Sequence, residues 1–355
     1  MIHDRPDLPL ADDPPQADPP TPASVENAGF SLGRALRNPR TLISFALAAA
    51  IILFVSRGLD IDVGATWAYM RQANLALYGL GFAIFYLTFP IRAIRWRLLL
   101  DNANVPIREG RHSWASLPAL IEYMYLSWFA NCIVPAKLGD AYRAYLLKRN
   151  GNVSFSATFG TIFAERLLDM LCLFTFLVVA AWSVFGTHLP PETNLIFGSG
   201  VVLVVAIIVV LAGMRYFSPL IRRIVPARLQ DTYVSFEQAA LRSFRPAMLP
   251  KLIPLTAIIW SLEGFRLYFV IEALGVNGLS LPAIIFVALA SSLLTALPLT
   301  PGGLAVVEGT VTVVLTTFFA VDKNLASAVT VLDRTINFWS IVVFGLALYI
   351  FSKRK

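Results

Sequence analysis

The chain has 355 residues, of which 57% are hydrophobic and 14% charged, with a formal net charge of +7. A soluble domain carries about 25% charged residues, and the mean hydropathy here is +0.68, so a soluble globular fold is excluded. The apolar runs are continuous rather than alternating, which excludes a transmembrane barrel and leaves an all-α polytopic membrane protein.

Residues 1–37 are a separate segment. Its first 30 residues hold seven prolines, six acids and one arginine. Such a composition cannot bury enough apolar surface to fold, and it lacks the basic start and apolar core of a signal peptide. It reads as a disordered cytoplasmic tail, with docking to a partner as the alternative. The transmembrane domain then covers 38–355.

Apolar runs and breakers predict helices near 41–56, 75–91, 113–134, 158–185, 195–214, 252–273, 282–297, 303–320 and 327–350. Residues 138–149 predict a shorter helical arm, and 216–250 a basic amphipathic stretch punctuated by Pro226, Pro246 and Pro250. Residues 57–74 read as an external loop.

Basic residues order these helices across the bilayer. Arg34, Arg37 and Arg40 precede the first helix and place the N-terminus in the cytoplasm. Arg92, Arg95 and Arg97 mark the next cytoplasmic flank. If 113–134 crossed the membrane, Lys148 and Arg149 would lie outside and the Lys/Arg-free 186–194 loop inside, against the positive-inside rule. A re-entrant hairpin of 113–134 with 138–149 removes the conflict. A second hairpin of 282–297 with 303–320, entering from outside, leaves Lys353, Arg354 and Lys355 inside. The expected fold is therefore six spanning helices plus two re-entrant helical hairpins in an inverted repeat, with halves at about 75–187 and 252–350. Short, broken segments at corresponding places in two such halves point to a midplane transport site.

The two breaks are Asn131 to Asp140 and Leu297 to Leu304. Pro135 and Pro301 are 166 positions apart, which sets Lys137 opposite Gly303, and Arg166 and Arg334 are 168 apart. Each break precedes an acid–arginine pair, Glu165-Arg166 and Asp333-Arg334. Ionisable residues at membrane depth are costly and functional by default. They are Lys137, Asp140, Arg143, Glu165, Arg166, Asp169, Glu263, Arg266, Glu308, Asp333 and Arg334. Arg166 with Asp169, and Glu263 with Arg266, stand three apart on one helix face. The bland alternative is that these groups only tie helices together. Gly302 and Gly303 are expected to open the second arm and to present free N–H groups to an anion.

Two cysteines in apolar segments and three scattered histidines give no disulfide framework or metal motif, so no metal or cofactor is expected. The basic residues cluster between apolar segments, a pattern of topology and lipid contact rather than of nucleic-acid binding. Gly29-Phe30-Ser31-Leu32-Gly33 matches G-x-S-x-G, but no strand precedes it, and no catalytic residue is assigned. Asp60-Ile61-Asp62 is an Asp-x-Asp pair in the first external loop and supports an alternative, a polyprenyl-phosphate glycosyltransferase.

Several motifs together resemble the flippase-like membrane domain of lysylphosphatidylglycerol synthases. They are Asn131 to Asp140, Glu165-Arg166 with Asp169, Pro298 to Glu308, and Asp333-Arg334 with Asn337, Phe338 and Trp339, along with Arg95 and Glu263. The resemblance covers about 38–352 and implies a lipid-handling membrane domain with re-entrant helices. Those synthases add a soluble aminoacyl-transferase domain. This sequence closes at Lys355, so it resembles the stand-alone branch, and aminoacyl-lipid synthesis is not expected.

The reading is a lipid flippase or transporter in a bacterial cytoplasmic (inner) membrane, with both termini cytoplasmic. Its substrate is an anionic or zwitterionic membrane lipid, phospholipid or polyprenyl, and a homo-oligomer is left open. Arg95, Lys137, Arg143 and Arg166 are expected to hold phosphate from the cytoplasmic side, and Arg266 and Arg334 with Gly302 and Gly303 from the other. Asp140, Glu165, Asp169, Glu263, Glu308 and Asp333 bind an amine or balance the arginines. A lipid-modifying enzyme, and a scaffold using the proline-rich tail, are the rival readings.

Overall fold

The computed structural model describes residues 38–105, 114–134, 138–186, 194–294 and 300–355, and among these every regular element is helical. The chain begins with α1 (Pro39–Gly58), a short α2 (Val63–Arg71) and α3 (Leu75–Asn102). A short pair follows, α4 (Leu117–Ile133) and α5 (Leu138–Gly151), then α6 (Phe155–Phe185) and α7 (Asn194–Tyr216). Next come α8 (Ser218–Ile224), α9 (Ala227–Ser243) and α10 (Leu249–Ala273). A second short pair, α11 (Leu281–Leu294) and α12 (Val306–Phe319), precedes α13 (Lys323–Arg334) and α14 (Ser340–Phe351). A π-helical turn over Thr335–Trp339 joins α13 to α14.

Among the described residues seven stretches are long and apolar enough to cross a membrane: α1, α3, α6, α7, α10, the α13–α14 rod and Pro301–Phe319. The last is not one continuous helix. Positive φ at Gly302, Gly303 and Ala305 breaks it, and α12 proper has 14 residues. At 1.5 Å per residue such a helix reaches about 21 Å, short of a hydrocarbon core of about 30 Å. With 17 and 14 residues, α4 and α5 are short in the same way.

Each short pair folds back on itself. Gly139 at the start of α5 lies so close to α4 that a Cβ there would stand 2.0 Å from the Ser127 carbonyl oxygen. Its N–H donates to Asn131 Oδ1 at 2.9 Å. The open end of this hairpin is tied to the end of the chain. Glu122, near the start of α4, accepts from Ser352 Oγ at 2.5 Å and pairs with Arg354. Near the end of α5, Arg149 and Asn150 donate to the carbonyls of Lys355 and Arg354. The second hairpin opens at the other end of α6. Phe185, the last residue of α6, packs against Phe286 of α11 and against Phe318 and Phe319 of α12, with ring centroids 5.4 to 6.2 Å apart. The two tips meet in the interior, where a Cβ on Gly302 would stand 3.4 Å from Cys132 Cα.

Helices α3 and α10 run antiparallel along their whole shared length. Asn74 N–H donates to the Ala273 carbonyl, Gly81 abuts the Arg266 backbone, Arg92 reaches Glu263, and Arg95 reaches Thr256. On the side of the first hairpin's open end, α9 packs on the start of α6. There Gly160 leaves room for the Phe236 carbonyl, and the Asn102 amide reaches the Arg242 carbonyl.

The expected helices are present, with three differences. The loop over 57–74 contains α2, started by Asp62, whose Oδ1 accepts from Gly64 and Ala65 N–H at 2.7 and 3.1 Å. Helix α3 runs to Asn102 rather than ending at 91, because Arg92 and Arg95 are neutralised inside the fold rather than hydrated at a flank. The basic 216–250 stretch resolves into α8 and α9. The 1–37 tail lies outside the described residues, as does the tip residue Lys137.

Candidate functional site

The second half of the chain repeats the ion-pair chemistry of the first. On α6, Arg166 pairs with Asp140, the third residue of α5, 26 positions earlier. On α13, Arg334 pairs with Glu308, the third residue of α12, again 26 positions earlier. Both residues of the second pair stand 168 positions after their counterparts. The same offset carries Glu165 to Asp333 and Asp169 to Asn337. Arg95 of α3 binds Glu165, and Arg266 of α10 binds Asp333. Arg92 and Glu263 occupy matching positions in α3 and α10, 171 apart, and pair with each other at 3.1 Å.

These groups fall into two layers. Behind the site, Arg95 is fully buried and donates to Glu165 at 3.0 Å, Asp169 at 2.6 Å and Thr256 at 2.8 Å. Arg143 donates to the other Glu165 oxygen at 2.9 Å and lies over the Trp96 ring. This network is closed on itself. Each arginine there faces carboxylates that offset its desolvation cost, and none of the four lines the central cavity. Arg95 and Arg143, expected to hold phosphate, therefore sit behind the central cavity, with Glu165 and Asp169 balancing them.

The front layer encloses a cavity of about 200 Å³ at the meeting of the two tips. Among the described residues Arg92, Arg166, Arg266 and Arg334 line it against one acid, Glu263. Asn131 and Cys132 contribute from the first tip, and Thr300, Gly302 and Gly303 from the second. Trp128 and Trp260 complete the wall, with the Arg92 guanidinium 5.0 and 6.0 Å from their rings. Arg92 was read from sequence as a flank residue; a charge between Pro90 and Trp96 of the same helix was the available signal. Arg166 commits Nε and Nη2 to Asp140 at 2.8 and 2.7 Å, leaving its Nη1 side for the cavity. Arg334 donates to Glu308 at 2.8 Å, Asn337 at 3.2 Å and the Gly302 carbonyl at 3.1 Å. Glu263 holds Arg92 and Arg266 together, and Asp333 lies behind Arg266.

Two sequence expectations change here. Arg166 does not pair with Asp169 on its own face, since Asp169 is taken by Arg95. The glycine turn does not open α12 with free N–H groups. Gly303 N–H donates to the Thr300 carbonyl and Leu304 N–H to the Pro301 carbonyl, and the helix starts only at Val306. What the turn offers Arg334 is the Gly302 carbonyl.

A membrane-spanning helical bundle with two opposed short hairpins and an arginine-lined cavity between their tips defines a polytopic membrane protein with a polar interior cavity. The chain belongs to the family of the lysylphosphatidylglycerol synthase TM region, which it matches over residues 41–345. It is 37% identical over 227 residues to a UPF0104 membrane protein of Methanocaldococcus jannaschii, covering 64% of this chain and 95% of that one. A UPF0104 membrane protein of Pyrococcus horikoshii is 24% identical over 342 residues, covering 88% of this chain and 97% of the relative. The glycosyltransferase AglD of Haloferax volcanii is 23% identical over 343 residues, which are 86% of this chain and 54% of that protein.

Proposed function

We propose that the protein moves a phosphate-bearing lipid headgroup across the membrane through the cavity between the hairpin tips. The observation that carries this is the lining of four arginines against one acid, at a site built from both hairpins. The guanidinium groups face the cavity while most of their carboxylate partners stand behind them, and guanidinium groups suit phosphate oxygens. The headgroup is held in the cavity while its acyl chains stay in the bilayer. The short hairpins act as re-entrant segments, and their glycine and proline breaks sit where protein or a wet cavity replaces lipid. Antiparallel α3 and α10 at the centre, with hairpins opening at opposite ends of α6, supply the arrangement expected of alternating access. The end that holds the first hairpin's base also holds Arg149, Arg222, Arg242 and Arg354, so it is assigned to the cytoplasm.

The test is transport of fluorescent phosphatidylglycerol in proteoliposomes, read by dithionite quenching. Arg166→Ala and Arg334→Ala are each expected to slow it at least about tenfold, the loss of one charge-assisted contact. Unchanged rates in both variants would remove the cavity from the transport path.

The name of the Haloferax relative favours a second reading, transfer of a sugar at the external face. Here Asp62 is occupied in capping α2, and Asp60 lies 3.9 Å from Lys323. Turnover of a polyprenyl-phosphate sugar by the purified protein, abolished by Asp60→Asn, is the outcome this reading requires.

A further inference from the structure

The two repeat-related acid–arginine pairs are not equivalent. Arg166 grips Asp140 through both carboxylate oxygens. Arg334 grips only Oε1 of Glu308 and turns its other donors to Asn337 and the Gly302 carbonyl. Oε2 of Glu308 is buried and accepts no hydrogen bond. A buried carboxylate oxygen without a donor is costly, and a position where one half of a repeat tolerates that cost while the other does not is a candidate for function.

The surroundings of Glu308 say what it lacks. It lines a second cavity, of about 340 Å³, walled by α1, α2, α12 and α13. Arg334 lines both this cavity and the central one, and among the described residues it is the only other ionisable side chain in the wall of the second. The remaining polar side chains there are the hydroxyls of Ser56, Thr66, Thr312, Ser327 and Thr330 and the indole of Trp339. Among the described residues Arg334 is the one cation paired with Glu308. Asp333, next to Arg334 in sequence, is spent on Arg266, and Lys323 stands with Asp60 at the start of α13.

Charge balance supplies the other half. Among the described residues the central cluster holds six arginines, Arg92, Arg95, Arg143, Arg166, Arg266 and Arg334, and six carboxylates paired with them. A phosphate that enters adds a negative charge to a buried set that was neutral, and a buried unbalanced charge is strongly disfavoured. We propose that Glu308 is the seat of one positive counter-charge, a proton or a sodium ion, that enters with an anionic headgroup. The inference rests on the lipid reading of the central cavity. Neutralising Glu308 also loosens its hold on Arg334, which then follows the phosphate between the two cavities. Binding of the anion and of the counter-charge must strengthen each other by the same factor.

The experiment is calorimetric titration of the full-length purified protein with dihexanoyl phosphatidylglycerol. It is run in two buffers of different ionisation enthalpy, with sodium or choline as the salt. The expected result is either uptake of about one proton per lipid bound or binding at least about tenfold tighter in sodium. The first outcome assigns a proton and the second a sodium ion. Glu308→Gln, which keeps the shape and removes the charge, is expected to abolish whichever dependence the native protein shows. A native protein that binds the lipid with no proton uptake and equal affinity in both salts overturns the proposal without needing any variant. So does a Glu308→Gln protein with the native dependence. Absence of any lipid binding would remove the transport reading itself, and this inference with it.

Discussion

Glu165 and Arg166 are adjacent on α6, yet Glu165 turns to Arg95 and Arg143 while Arg166 turns to Asp140. The sequence shows that these groups sit at membrane depth and must be compensated. It cannot show by whom, because the partners lie 22 to 70 positions away and are chosen by helix packing. The division has a mutational consequence. Arg95→Lys removes a planar group that serves Glu165, Asp169 and Thr256 together, and one ammonium cannot reproduce that geometry. The expected loss is about 3 kcal/mol or more of stability, the cost of a broken buried pair, seen as a lower thermal unfolding midpoint in detergent. Arg166→Ala behaves differently. Adding Asp140→Ala to it should recover stability by relieving the stranded carboxylate, yet transport should stay lost. Recovery of transport in the double variant would make Arg166 a purely structural residue.

The helices were legible wherever apolar runs were long, since burial of a continuous face sets both length and position. Two elements were not. Helix α2 is only nine residues long, too short for a periodic signal, and its start depends on the Asp62 cap. The tip register was also off. The ion pairs align the halves at 168 positions, which sets Lys137 opposite Ala305 rather than Gly303. Proline spacing misled because the ion-paired arms, not the prolines, carry the repeat register. The glycines divide in a way that spacing could not reveal. Gly139 has no positive φ but touches a carbonyl at 2.0 Å from where a Cβ would be. Gly139→Ala is therefore expected to splay α4 from α5 and to lower the yield of folded protein. Gly303 has φ +69°, a region closed to branched residues. Gly303→Val is expected to insert normally and to stop transport, with a monodisperse elution profile as the control for folding. Normal transport by that variant would reduce the tip to a simple turn.

At the scale of the whole molecule, the two hairpins are wedges entering from opposite ends of one long helix. The first closes its base on Ser352, Arg354 and Lys355, and the second closes its base on Phe185. Since α6 has 31 residues, its ends stand about 46 Å apart at 1.5 Å per residue, more than the hydrocarbon thickness of a bilayer of about 30 Å. On the transport reading proposed above, the two bases face opposite aqueous compartments and neither hairpin crosses. This fixes a labelling pattern. In a protein freed of Cys132 and Cys172, a single cysteine at position 149 is expected to react only after the cytoplasmic face is opened. So are cysteines on α9, at position 228 or 242. A cysteine at position 322, beyond the end of α12, is expected to react with an impermeant reagent added outside, as is one at position 187. Labelling of 149 and 322 from the same side would turn one hairpin arm into a true span. The antiparallel match of α3 with α10 would then lose its meaning as the axis of an inverted repeat, because α6 and α13 would no longer cross in opposite directions around it.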